Sequence, residues 1–261
     1  RPTGPTLRVP FVSADLVRDA AVEALLRVSE KNIFLSDSID KTLRRKAISD
    51  RGSRFLTQLV YGTVRHQRLC DHILGGLLKQ PITELPRPIH VILRMGVFQA
   101  LFCNQVTFPA MVHTSVDLAK KRGHPGTAGL TNAVLKRVPQ RLEDVSLPDT
   151  AHGAVRHLGV RYSLPDWLVQ HWIDLLGLEK ATAICAASCE QAPTTIRANT
   201  QKIDADSLRS RLEQAQCVVR KSTPVPEELT IVEGPALRAK RFQQGLFMLQ
   251  APAAMIAAHL M

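Results

Sequence analysis

The sequence predicts a multi-domain protein in which an all-α helical bundle is followed by a small α/β subdomain. Three observations carry this expectation. Residues 89–138 hold three apolar-periodic segments joined by short loops, the pattern of packed antiparallel helices. Beyond Pro193 the apolar period shortens from that of helices to that of strands. With 261 residues and 45% apolar content, the chain has material for about two cores.

Taken in order, residues 1–12 are proline-rich and aperiodic and are expected to form a flexible tail, with the helical domain at 13–139. Ser13 is a suitable N-cap, and Val17, Ala20, Ala21, Ala24, Leu25 and Val28 trace the inner face of the first helix. Residues 29–50 are expected to be a polar connection. In the next helix Phe55, Leu56, Leu59 and Val60 turn inward, which leaves Arg51, Arg54, Gln58 and Arg65 outward and Arg68 just beyond. Pro81, Pro86 and Pro88 mark the turn into a central helix. There Ile89, Ile92, Leu93, Val97, Ala100 and Leu101 recur at helical spacing, while Val91, Met95 and Phe98 fill much of the remaining circumference, so this helix should be buried. Pro109 suits the first turn of a following helix that carries Val112, Val116 and Ala119 inside and Lys120, Lys121 and Arg122 in its last turn, where the helix dipole favours cations. Gly123 ends it, and Leu130, Val134, Leu135 and Val138 belong to one more helix before Pro139.

Pro139, Pro148 and the Glu143-Asp144 pair mark a linker, so residues 140–160 are read as linker and short helix and 161–250 as the α/β subdomain. Pro165 opens a helix in which Trp167, Leu168, Trp172, Ile173 and Leu176 are expected as core or inter-domain anchors; stacking of the tryptophans on RNA bases is the less favoured reading. Strands are expected at 194–199, 217–221, 229–233 and 245–250, with a helix at 205–214 turning Leu208 and Leu212 inward. Their natural packing is a mainly antiparallel sheet.

The formal net charge is +11, and all of this excess lies within residues 1–140. Cations gathered in one half suit a polyanion, because neutralising phosphates releases counterions. The candidate phosphate contacts are Arg44, Arg45, Lys46, Arg51, Arg54, Arg65 and Arg68, together with Lys120, Lys121 and Arg122. Arginine suits the role through its planar fork of donors. Other chemistries are poorly supported. His66, His72, His90, His113 and His124 are too dispersed for metal-ligand spacing. Five scattered cysteines, flanked mostly by apolar residues, fit reduced thiols in a cytoplasmic protein better than a disulfide framework. No apolar run approaches membrane-spanning length, so no membrane partner is expected.

The runs LRMGVFQALF, VHTSVDLAKKRGHPGTAGLTNAVLKRV and DRGSRFLTQLVYGTVRHQRLCDHIL resemble the NusB-type RNA-binding domain that opens the bacterial ribosomal RNA cytosine-5 methyltransferases, the RsmB (Sun, Fmu) family. The run YSLPDWLVQHWIDLLGLEKATAICAASCEQAPTTIRANT is similar to the same family's next segment. The resemblance implies a NusB-like bundle, an RNA-recognition-like α/β subdomain and, in a full-length enzyme, a Rossmann-type catalytic domain that uses S-adenosylmethionine. It implies small-subunit (16S) ribosomal RNA as partner.

A methyltransferase pocket of this kind needs a glycine-rich loop where backbone approaches the cosubstrate, and the sequence contains no G-x-G. The family's catalytic cysteines follow threonine or proline, whereas Cys70, Cys103, Cys185, Cys189 and Cys217 follow Leu69, Phe102, Ile184, Ser188 and Gln216. No catalytic or cofactor-binding residue is therefore assigned, and the catalytic domain is expected to be absent. Residues 251–261 are read as its truncated start, although Gln250-Ala251-Pro252 stands where the family has Gln-Asp and a small hydroxyl residue. Alone, the chain should bind RNA and transfer no methyl group. The alternative is a stand-alone NusB-like module in transcription antitermination or regulation, with a ribosomal or transcription protein as partner; it leaves the residues after the bundle unexplained.

Overall fold

The computed structural model describes residues 14–31, 33–150, 153–190, 192–221, 225–234 and 244–261; the expected tail at 1–12 and the Ser13 cap lie outside them. Two compact units arise, Arg1–Cys189 and Glu190–Met261.

In the first unit the helices are α1 (Ala14–Lys31), α2 (Leu35–Arg45), α3 (Asp50–Arg65), α4 (Gln67–Leu77), α5 (Arg87–Phe102), α6 (Phe108–Arg122), α7 (Pro125–Leu135), α8 (Ala154–Arg161), α9 (Asp166–Leu176) and α10 (Leu178–Cys189). Helix α5 is the expected central one. Pro88 sits in its first turn, Ile89, Ile92, Leu93, Met95 and Val97 are fully buried, and α1, α3, α4, α6 and α7 pack around it. An apolar helix with so little polar circumference is stable only when enclosed. One polar residue within it is satisfied: buried Gln99 accepts from Arg18 Nε at 2.7 Å and donates to Met95 O at 3.1 Å. The Arg18 guanidinium also lies over the Phe55 ring.

Helix α3 approaches α5 closely at Gly62, where an added Cβ would lie 1.9 Å from Phe98 Cζ. Phe98 is itself buried and stacked with Phe102, so it has little room to retreat. Gly62→Ala is expected to lower stability by about 1–2 kcal/mol. Overpacking costs about 1–3 kcal/mol, and the better helix propensity of alanine returns up to ~1 kcal/mol. Urea melts monitored by circular dichroism would measure the difference, and an unchanged midpoint would contradict the close approach.

Residues 29–50 are not the polar connection expected from sequence, because α2 fills their middle. Its buried residues are Ser38, Ile39 and Thr42, and half-buried Leu35 and Leu43 extend Ile39 into an i, i+4, i+8 apolar line against the core, a short repeat set among charged and hydroxyl residues. The polar groups are paired internally. Ser38 Oγ donates to Ala24 O at 2.8 Å, Thr42 Oγ1 donates to Ser38 O at 2.8 Å, and Arg27 of α1 donates to Ser38 O and Thr42 Oγ1 at 3.1 and 3.0 Å. These hydrogen bonds supplement the apolar contacts that Leu35, Ile39 and Leu43 make with the core.

Helices α8 to α10 gather around their own small core of Leu158, Val169 and Cys185. The composition change near residue 150 falls before α8, whereas the compact units part after Cys189. The reason is a joint to the bundle, in which Val160 of α8 is buried in the bundle's core and polar groups engage α4. The Ser163 hydroxyl accepts from the Leu69 N–H at 3.0 Å and so caps a helix that lacks a side-chain cap of its own. Arg68 donates to Leu164 O and pairs with Asp166 at 2.7 Å. Trp167 is not the anchor expected from sequence: it is 70% exposed. The inner side of α9 runs through Val169, Trp172 and Ile173, and Trp167 faces away from it.

The second unit contains β1 (Thr194–Ala198), α11 (Ala205–Glu213), β2 (Val218–Lys221), β3 (Glu228–Glu233), β4 (Phe247–Leu249) and α12 (Pro252–Leu260). The sheet order is β2-β3-β1-β4 and every pairing is antiparallel, as the strand pattern predicts. Asp204 caps α11 by accepting from Ser207 N–H at 2.8 Å, and Leu208 and Leu212 meet Ile196, Val219, Leu229 and Phe247.

Candidate nucleic-acid interface

The cationic residues divide into two kinds once their partners are seen. On α3, Leu56, Leu59, Val60 and Thr63 are buried, which forces Arg51, Arg54, Gln58, Tyr61 and Arg65 outward. At 3.6 residues per turn these five fall within about 80° of the circumference and run along about 21 Å of axis. No carboxylate pairs with Arg51, Arg54 or Arg65 among the described residues. A single line of free guanidinium groups on a rigid helix can follow one phosphate backbone.

Arg44 and Arg45 end α2 and are also exposed, but the outer face there is mixed. Asp37 and Asp40 line the same shallow cleft as Lys41, Arg44 and Arg45. Part of the attraction these arginines offer an anion is cancelled, and part serves the C-terminal end of the α2 dipole.

The remaining candidates are engaged within the protein. Asp19 of α1 accepts from Lys121 Nζ at 2.8 Å and from Arg122 Nε at 2.9 Å. Lys46 pairs with Glu23 at 2.8 Å, Lys120 with Asp117 at 3.2 Å, and Arg68 belongs to the α4–α9 joint. Lys46, Lys121 and Arg122 thus tie α2 and α6 to α1. Tyr61, 38% exposed within the α3 line, was not singled out by sequence reasoning, although its spacing from Arg54 and Arg65 was there to be read.

Nucleophilic and metal chemistry find little support in the described residues. Burial pushes the thiols of Cys70 and Cys103 up to about 12 and about 11, and it also raises those of Cys185 and Cys189. At neutral pH these groups stay protonated, whereas a nucleophilic cysteine needs the thiolate. No cluster of metal-ligating side chains occurs among the described residues. Burial lowers His66 to about 4, so its ring is neutral where it stacks on Phe102, centroids 4.0 Å apart. No helix among the described residues is long and apolar enough to cross a membrane.

Residues 16–140 match the NusB family, and residues 164–237 match the ferredoxin-like domain of RsmF/B-like methyltransferases. The probable ribosomal RNA small subunit methyltransferase B of Bacillus subtilis is 29% identical over 242 residues, 93% of this chain and 54% of its own length. The chain belongs to the RsmB (Sun, Fmu) family. A further RsmB relative, ribosomal RNA small subunit methyltransferase B of Pseudomonas syringae pv. tomato, is 30% identical over 246 residues, covering 94% of this chain and 53% of that protein. Among solved structures, the crystal structure of PH0851 superposes with a TM-score of 0.66 at 22% identity, over 98% of this chain and 56% of that one, which establishes likeness of fold. This RsmB-family chain therefore spans about half the length of the curated relatives it matches.

Proposed function

We propose that the chain is the RNA-holding part of an S-adenosylmethionine-dependent 16S ribosomal RNA cytosine-5 methyltransferase. It grips ribosomal RNA and positions it for methylation by a catalytic domain outside these residues. The observation that carries this reading is the line of unpaired arginines on α3, set against the internally paired Lys46, Lys121 and Arg122. The names of the relatives, small subunit methyltransferases, supply the class of RNA.

The residues present do not fit the cosubstrate. Its usual site is a crevice at the carboxyl ends of parallel strands, and every described strand pairing here is antiparallel. The chain's own contribution is placement, which lowers a barrier by bringing the target base within reach and costs no chemistry at the grip itself.

A titration of the chain with a 16S ribosomal RNA stem-loop at increasing salt tests the proposal. The logarithm of the association constant should fall linearly with that of salt, with a slope between roughly −2 and −4 for three to five neutralised phosphates. Affinity independent of salt would overturn the reading.

A further inference from the structure

We propose that Tyr61 stacks on an unpaired base, so that the α3 line takes single-stranded RNA, such as a loop, in preference to continuous duplex. This deepens the RNA-binding reading and rests on it. Three features of the molecule lead there. Tyr61 is the aromatic residue in the line, 38% exposed and on the same face as Arg54 and Arg65. Its hydroxyl has no hydrogen-bond partner, and its ring stacks on no other aromatic among the described residues. The backbone that carries it is fixed from both sides, since Val60 is fully buried and Gly62 lies against the Phe98 ring.

The physical consequence is selectivity of form. Arginines at exposed helix positions attract the phosphates of any nucleic acid, single or double. A flat ring between two of them adds something only when a base offers a free face, and the bases of a duplex have both faces covered by their neighbours. Tyr61 is four residues from Arg65, about 6 Å along the helix axis, so phosphate contact and stacking can fall on adjacent nucleotides. Because every base has such a face, the preference should be for unpaired form and tolerant of sequence. The rigid backbone keeps the ordering cost of the contact low.

The test compares a short end-labelled single-stranded RNA with the same strand annealed to its complement, by fluorescence anisotropy at one salt concentration. The full chain should bind the single strand more tightly. Tyr61→Ala should weaken single-strand binding on the order of 10-fold, change duplex binding by less than about 2-fold and leave the salt slope alone, while Tyr61→Phe behaves as the parent. Tyr61→Gln, which keeps bulk without the ring, should match Tyr61→Ala and serves if the smaller side chain disturbs the helix. Equal loss for both RNA forms, unchanged single-strand affinity in Tyr61→Ala and Tyr61→Gln, or a parent preference for duplex would each overturn the inference. If Arg54→Gln weakens binding and Tyr61→Ala does not, RNA binding by α3 stands and the stacking role alone falls. If the parent binds neither RNA, both fall together.

Discussion

Replacing Arg51, Arg54 and Arg65 together by glutamine is expected to weaken RNA binding about 100-fold and to flatten the salt slope by roughly 2. Each lost charge-assisted phosphate contact contributes about 1 kcal/mol, and three of them approach a 100-fold change. Each also removes about 0.7 from the slope on a single strand, because one fewer counterion is released. The fold should survive, since these side chains are exposed and pair with no acid among the described residues. Lys120→Gln provides the comparison: its ammonium already faces Asp117 at 3.2 Å, so its removal should change affinity by less than about 3-fold. Matched titrations at several salt concentrations, with melting curves to show both variants folded, decide the matter. A triple variant with parent affinity and parent slope would move the RNA-contacting surface away from α3.

The difference between Arg51 and Arg122 could not be read from composition, and the physical reason is distance along the chain. Both are arginines on amphipathic helices, but the acid that engages Arg122 is Asp19, 103 residues earlier. Only packing of α6 against α1 brings them together. The same limit hid the Ser163 cap on α4, 94 residues away. Local patterns, by contrast, were legible wherever apolar side chains did the work. Helix α5 with its Pro88 start, the Leu208 and Leu212 face of α11 and the antiparallel strands followed from periodicity alone. Helix α2 escaped because its apolar line of Leu35, Ile39 and Leu43 is short and shares the inner face with Ser38 and Thr42. Trp167 was misplaced because it lies two residues, about 200° of helical rotation, from Val169 on the inner side of α9.

Asp19→Ala should be the most destabilising of the single substitutions considered, by roughly 2–4 kcal/mol, less than the full cost of breaking a buried pair because Lys121 remains largely in water. The Asp19 side chain is 10% exposed and receives Lys121 and Arg122 from the last turn of α6, with Lys46 of the α2–α3 connection 4.0 Å away. Its removal leaves the Arg122 guanidinium, also largely enclosed, without its carboxylate. Burial alone would raise the Asp19 carboxyl, but hydrogen bonds and charge from Lys121 and Arg122 outweigh it and hold the group below the usual carboxylate range. A group depressed in the folded state stabilises fully above its unfolded value of about 4, and that contribution fades as pH falls through the folded value. Asp19→Asn should therefore be less stable than the parent at neutral pH and should lose less on acidification below about pH 4, so the two curves converge. Urea melts across that range measure both the gap and its closure. If Asp19→Asn were as stable as the parent at neutral pH, the α1–α6 ion pairs would be incidental surface contacts, and Lys121 and Arg122 would return as candidates for the RNA backbone.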